Sequence, residues 1–283
     1  MTVDTMHGFE GELQELDFAL GGLHVETVGC LAATGCSGKS MWAMQAGMGV
    51  CSEAADDALL RLNARRRGRV VIWNAEDPEI IILHRLRAMG QRFPHPVRVE
   101  VAERLQIESV VGMMPDIMDQ KWRDTVVKQS EGARLVIFDT FSRWHRLKEN
   151  DNGDMAYVVS VFEWVAKQTG AAVLYLHHTS KGMARDGRQD EQQATRGAAA
   201  ITDNARWQGW MQSMTVEQAH LFGKSAEQRA KFVRWGGNKE NYGEETAGRW
   251  LERTEGGVLK PVDLIATKSD DKLLRREKRD EEY

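Results

Sequence analysis

The sequence predicts an α/β chain on a mostly parallel, twisted sheet flanked by helices, and three observations carry that expectation. A strand-length apolar run leads into a glycine-rich turn and then into apolar residues at helical spacing, within residues 26–46. Further apolar runs of strand length recur at 69–74, 134–139 and 171–177. Segments with helical periodicity separate them, and that alternation is the pattern of strands joined by crossover helices.

Residues 27–32 read as the first buried strand, and Ala33, Thr34, Gly35, Cys36, Ser37, Gly38, Lys39 and Ser40 follow as a turn of the form [Ala/Gly]-x-x-x-x-Gly-Lys-Ser. Gly35 and Gly38 allow backbone angles that other residues avoid, so successive N–H groups turn inward toward phosphate oxygens. The amino end of the next helix adds a favourable dipole, the Lys39 ammonium reaches β- and γ-phosphates, and the Ser40 hydroxyl ligates magnesium. A bare eight-residue match can arise in any loop. The strand before it and the helix after it are the context the motif needs. Ala33 replaces the first glycine, and a side chain that small still permits the turn. Met41, Met44 and Met48 carry the helix to about residue 51 and read as core packing.

A chain of 283 residues with 42% apolar content can bury a sizeable core, and no composition break divides it. We expect one domain over 1–265, opened by a lead-in segment at 1–20 and followed by a charged tail at 266–283. Cys30, Cys36 and Cys51 are an odd set without metal-type spacing. With no basic-then-apolar leader and no long apolar run, they point to a reduced, cytoplasmic setting and no membrane. Cys36 reads as an inert thiol. A net charge of −4 argues against a surface coated with basic residues for duplex binding, yet a ring of subunits can still gather positive charge in its pore.

After the loop, residues 56–67 are charged and end in Arg65-Arg66-Arg67, a solvated turn or a nucleic-acid contact. The run 69–74 ends at Ala75-Glu76-Asp77-Pro78, where Asp77 caps a helix and Pro78 suits its first turn. Glu76 therefore stands at the carboxyl end of a strand, where ligands gather in open α/β sheets. A helix spans 78–89 with Ile82, Leu86 and Met89 on one face, and Gly90 ends it. Residues 97–101 read as a strand and 116–130 as a helix.

Arg134-Leu-Val-Ile-Phe-Asp139 is a second strong signal, a basic residue and four apolar residues followed by an aspartate that holds magnesium through water. Thr140 stands where many ATPases carry a catalytic glutamate, so water activation must come from another strand end. Glu76 is the best-placed candidate. A helix spans 153–167, and the strand from 171 ends in His177-His178. Two consecutive residues of a strand face opposite sides, so one of these two meets the phosphate side. Residues 182–195 are either solvated surface or a nucleic-acid-contacting loop. Residues 197–204 read as a helix, 205–211, 230–235 and 249–253 as strands, and 236–243 as a turn. Asn238-Lys239-Glu240-Asn241 lacks the final aspartate of a guanine-reading motif, which excludes a GTPase.

Taken together, the phosphate loop, Ala75-Glu76-Asp77-Pro78, Leu135-Val-Ile-Phe-Asp139-Thr140, Leu176-His177-His178-Thr-Ser-Lys181, Asp203-Asn-Ala-Arg206-Trp207 and Asn238-Lys-Glu-Asn-Tyr-Gly243 resemble the RepA-type hexameric replicative helicases of broad-host-range plasmids. Those are RecA-like P-loop ATPases related to DnaB, and the resemblance covers residues 20–262. It implies a RecA-like P-loop NTPase fold with C-terminal antiparallel strands, and a homohexamer with ATP and Mg2+ between subunits and single-stranded DNA in the channel. It also implies unwinding from 5′ to 3′ in plasmid or phage-type replication, with a replication initiator or primase as partner. By position, Lys39 and Ser40 bind phosphate and magnesium, Glu76 is the catalytic base, Asp139 supports magnesium and His178 senses the γ-phosphate. Arg206 resembles an arginine finger from the neighbouring subunit, Lys239 a second trans contact, and Arg85 with Tyr242 the pair that holds adenine. Lys181, Arg185 and Arg188, with the loop at 145–154, fall where such rings contact DNA. The rivals are a non-unwinding RecA-like ATPase, such as a recombination mediator or a KaiC-like regulatory ring, and a nucleotide-gated binding module, against which Glu76 speaks.

Overall fold

The computed structural model of the chain describes residues 2–179, 199–242 and 248–267, without the side chains of residues 238–240. A short helix α1 (Thr5–Glu10) and a small hairpin of β1 (Phe18–Leu20) and β2 (Leu23–His24) lead into β3 (Val28–Thr34) and α2 (Lys39–Cys51). Then come α3 (Glu53–Ala58), β4 (Arg69–Asn74), α4 (Glu79–Gly90), α5 (His95–Arg104), β5 (Leu105–Ser109), α6 (Gln120–Gln129), β6 (Ala133–Asp139), α7 (Asn152–Thr169) and β7 (Ala172–Thr179). The last part holds α8 (Ala200–Asp203), β8 (Trp207–Ser213), α9 (Val216–Leu221), α10 (Ala226–Arg229), β9 (Phe232–Glu240), β10 (Arg249–Arg253) and β11 (Leu259–Pro261).

Nine strands form one sheet in the order β11-β10-β9-β8-β3-β7-β6-β4-β5. From β8 to β5 neighbouring strands are parallel, and β9, β10 and β11 extend the sheet antiparallel. The arrangement is the RecA-like P-loop fold that the resemblance implied. Its central strands are apolar on both faces because helices cover both. In β6, Leu135 and Ile137 join the cluster under α2, whereas Val136 and Phe138 join the cluster under α7. No helix among the described residues is long and apolar enough to cross a membrane.

Several local expectations are corrected. Residues 97–101 alternate as Val-Arg-Val-Glu-Val, a period-2 pattern, yet they lie in α5. Proline at its amino end presets the first turn, and Val101 packs inward while Val99 is exposed. The edge strand is instead β5, whose residues are all half-buried and give no apolar run. The helix expected over 116–130 begins only at Gln120, where the Asp119 carboxylate accepts from the Lys121 N–H. Pro78, not Asp77, is the N-cap of α4, and the Asp77 carboxylate is bound by Arg85 instead of capping the helix. The turn expected at 236–243 is largely strand: β9 continues to Glu240, and Gly236 and Gly237 stand opposite Trp210 and Gly209. A β-carbon on Gly236 would come within 3.1 Å of the Trp210 ring, so this glycine makes room for an indole. Of the three consecutive arginines, two contact the fold: Arg67 donates to the Gly49 carbonyl at 2.7 Å and Arg66 meets Asp17 at 3.3 Å, while Arg65 is exposed. Of the helix expected at 197–204, residues 200–203 form α8, and 197–198 lie outside the described residues. Ala266 still packs against the C-terminal cluster, and the tail from 268 lies outside the described residues.

Candidate nucleotide site

β3 ends in buried Ala33 and Thr34, and its chain then turns through residues 35–38 into α2. Gly38 occupies the left-handed region at φ 96° as the N-cap of α2. The other left-handed residue of the loop is Cys36, at φ 62°, and not Gly35. The Ser37 N–H points back across the loop to the Thr34 carbonyl at 3.3 Å. Such a run of amides at a helix amino end forms an anion-binding concavity.

Three strand ends bring side chains to this loop and to Lys39 at the start of α2. Lys39 is buried, and its ammonium lies 3.0 Å from His178 Nδ1 at the end of β7. His178 Nε2 is 3.3 Å from the Glu76 carboxylate after β4. Register explains the convergence, since Ala33 pairs with His178 and Asn74 with Asp139 across parallel neighbours. His177 faces the other way, buried near the Phe141 ring, where desolvation lowers its pKa to about 4. The hydrogen bond from His178 holds the Glu76 carboxyl below its ordinary pKa, against its partial burial. Burial also lowers the Lys39 pKa, opposed by Asp139 and Glu76.

Asp139 is buried at the end of β6, and burial raises its pKa to about 6 against the Ser40 hydroxyl, which acts in the opposite direction. Its Oδ1 has no hydrogen-bond partner among the described residues. A buried carboxylate oxygen left without a donor, beside a serine hydroxyl, is a fit for a hard divalent cation, which takes oxygen ligands. Asn74 is a residue the sequence analysis passed over. Its side-chain oxygen accepts from the Glu76 and Asp77 N–H groups at 3.1 and 2.8 Å, and so sets the turn that presents Glu76. An asparagine at a strand end just before Ala-Glu-Asp-Pro was the available signal, because Asn bonds the backbone two residues on.

Arg85 pairs with Asp77 at 2.6 Å, next to Glu76. Arg206 lies elsewhere: it is exposed, immediately before β8, and its N–H binds the Val28 carbonyl at the amino end of β3. Lys239 pairs in register with Gln208 at that same end. Tyr242 stands there too, with its ring 5.9 Å from that of His24. Six steps along β3 separate this end from the loop, about 20 Å at the usual rise of a strand. Lys181, Arg185 and Arg188 lie outside the described residues. Of the loop expected at 145–154, residues 152–154 instead open α7, capped by Asp151; in the remainder His145 is buried against Phe141 while Arg146 and Lys148 are exposed.

The fold has several solved counterparts. The RadB recombinase superposes with a TM-score of 0.55 at 13% identity, over 86% of this chain and 93% of that one. A second counterpart, solved as an ATPase domain, does so with a TM-score of 0.57 at 12% identity, over 92% of this chain and 96% of that one. A DnaB-like replicative helicase, solved with its interactions with primase, gives 0.58 at 12% identity over 85% of this chain and 58% of that one. At such identities the likeness speaks for the fold. The AAA domain family model matches residues 1–184, which hold the loop, Glu76, Asp139 and His178, and the chain belongs to that family.

Proposed function

We propose that this RecA-like ATPase is a DNA helicase working as a ring of six copies, with ATP between neighbours and single-stranded DNA in the central channel. The observation that carries the reading is the placement of two groups of side chains at opposite ends of the same strands. Lys39, Glu76, Asp139 and His178 converge beside the phosphate loop, while Arg206 is exposed at the opposite end of the same strands. The two groups meet only when a second copy brings its Arg206 end to the first copy's loop.

In this reading the amides of residues 35–40 and the Lys39 ammonium bind the phosphates, and Glu76 aligns the attacking water as general base. His178 touches both Lys39 and Glu76, so it is suited to report the γ-phosphate to the base. Arg206 of the neighbour, with Lys239, stabilises charge on the transferring phosphoryl group. Arg85 of one copy and Tyr242 of the next hold the adenine. Ser40 and Asp139 would hold magnesium, which when bound neutralises phosphate charge. Lys181, Arg185 and Arg188, with the 145–154 loop, contact DNA. One domain over 1–265, a cytoplasmic setting, 5′ to 3′ movement, a role in plasmid or phage-type replication and a partnership with an initiator or primase complete the reading, on the RepA-type resemblance.

The test is ATP turnover with and without single-stranded DNA, strand displacement on a forked duplex, and the mass of the full chain in solution. A six-copy mass, stimulated turnover and displacement are expected. The likeness to RadB favours one second reading, an ATPase that handles DNA without unwinding it. DNA-stimulated turnover that never displaces a strand selects that reading over the helicase.

A further inference from the structure

The outer wall of the phosphate loop is held by a residue from far along the chain. Arg253 ends β10, and its Nη2 donates to the Cys36 carbonyl at 2.6 Å while Nη1 donates to the Ala230 carbonyl at 3.1 Å. A β-carbon on Gly38 would stand 3.7 Å from the same guanidinium, so the group lies along the loop from residue 36 to residue 38.

The mount of that arginine is rigid. Gln45, fully buried in α2, donates to the Leu259 carbonyl and accepts from the Leu259 N–H, both at 2.8 Å. Arg92, beyond α4, donates to the Thr254 hydroxyl at 2.7 Å. The turn between β10 and β11 is seated on both helices: a β-carbon on Gly256 would collide with that of Ala88 at 2.4 Å, and one on Gly257 would touch Met41 at 3.4 Å. The hairpin is therefore tied to α2, the helix that the loop opens, by paired hydrogen bonds and close packing.

The chemistry follows from one peptide unit. In a planar trans peptide the carbonyl and the following N–H point in opposite directions. Fixing the Cys36 carbonyl outward on Arg253 turns the Ser37 N–H inward, across the loop. A cation on that carbonyl also polarises the peptide and strengthens its N–H as a donor, here to the Thr34 carbonyl, so the bond that closes the loop is held in place. Cys36 adopts a left-handed backbone that a non-glycine residue holds only when its surroundings impose it, and the Arg253 bond is such an imposition.

The geometry points to Arg253 as a positioning residue of the phosphate site, clamping the Cys36–Ser37 peptide so that the loop presents its amides to a polyphosphate. The inference rests on the ATPase reading above and assigns Arg253 to phosphate binding before reaction, not to the reacting group itself.

The experiment measures ADP and ATP affinity by displacement of a fluorescent ADP analogue, together with magnesium-dependent turnover, for the full-length wild type, R253A and R253K. R253A should weaken both nucleotides and raise KM about tenfold, the size of one charge-assisted hydrogen bond, with kcat nearly unchanged. R253K, which keeps the charge and reaches one carbonyl, should recover part of that loss. A kcat loss with unaltered affinities overturns the inference, because Arg253 would then act on the reacting phosphoryl. So does a lower melting temperature of the nucleotide-free R253A or R253K protein with wild-type ADP affinity, the mark of a purely structural role. If R253A does not fold, the inference stands or falls on R253K, which must still bind ADP more weakly than wild type. A wild type that binds no nucleotide ends the ATPase reading and this inference together. A wild type that binds, beside Arg253 variants that bind equally well, ends this inference alone.

Discussion

The two ends of β3 differ in how complete they are. At the carboxyl end, His178 bridges Lys39 and Glu76, Asn74 sets the turn before Glu76, and Asp139 is buried beside them. At the amino end, about 20 Å away by strand rise, Arg206 is exposed and anchored there through its backbone. In the reading proposed above, the first end binds and prepares the nucleotide, and the second supplies a cation to the neighbouring copy. In the proposed ring this difference makes a single copy half of a catalytic unit, completed by the exposed end of its neighbour.

The largest effect belongs to the exposed end. Arg206→Ala should lower turnover by about 10³ or more, in the range of arginine fingers supplied from a neighbour, while ATP binding stays near wild type. Lys39→Ala should abolish turnover from the other end. An equal mixture of these two inactive variants then carries the sharper test. Interfaces where an Arg206→Ala copy offers its loop to a Lys39→Ala copy are intact, so about a quarter of interfaces recover if each site spans two copies. Unimpaired hydrolysis by Arg206→Ala, or no recovery on mixing copies that exchange, would break the comparison.

Next is Glu76→Gln, which keeps the shape of the side chain and removes its basicity. Turnover should fall by about 10² to 10⁴ in single-cycle measurements, with ATP still bound. A variant that hydrolyses at the wild-type rate would move the base to another residue.

What the sequence made legible followed the same division. The parallel half is a run of strands covered on both faces, so each strand reads as an apolar stretch ending in a polar residue, and Lys39, Glu76 and Asp139 could be found from those ends alone. The choice between His177 and His178 needed coordinates, because period-2 alternation says that they diverge without saying which way. Edge strand β5 was missed because half-buried residues leave no apolar run, and α5 was misread because Val-Arg-Val-Glu-Val alternates like a strand. Short α3, α9, α10 and β11 are too brief for periodicity to register. Arg253 was invisible, since a bond from residue 253 to residue 36 has no local signature.

Gln45→Ala tests whether the antiparallel extension belongs with the loop end. The change leaves the buried N–H and carbonyl of Leu259 without partners. It should cost about 2–4 kcal/mol in urea unfolding, at the usual cost of an unsatisfied buried group. Loss of nucleotide affinity in the fraction that remains folded would tie the hairpin to the loop, whereas unchanged affinity and stability would separate them.

The smallest effect compares the two adjacent histidines. His177 is buried, with His178, Lys39 and His145 adding to the desolvation that brings its pKa down to about 4 from 6.5. A depressed histidine contributes stability that is present above pH 6.5 and lost as pH falls toward 4. Between pH 7.5 and 5 that loss is about 2 kcal/mol at 1.36 kcal/mol per pKa unit. Asp139 acts with the opposite sign: its pKa is raised from 3.8 to about 6, so its protonation favours the folded chain as pH falls through 6. The offset from Asp139 is about 1 kcal/mol over the same interval, so the wild type should lose only a little net stability from these two groups. His177→Gln removes the first contribution and leaves the second. In urea unfolding without nucleotide or magnesium, its stability change between pH 7.5 and 5 should be about 2 kcal/mol more favourable than that of the wild type. Identical pH profiles would mean that His177 is protonated as easily in the folded chain as in the unfolded one, and that both histidines are open to solvent at the loop end.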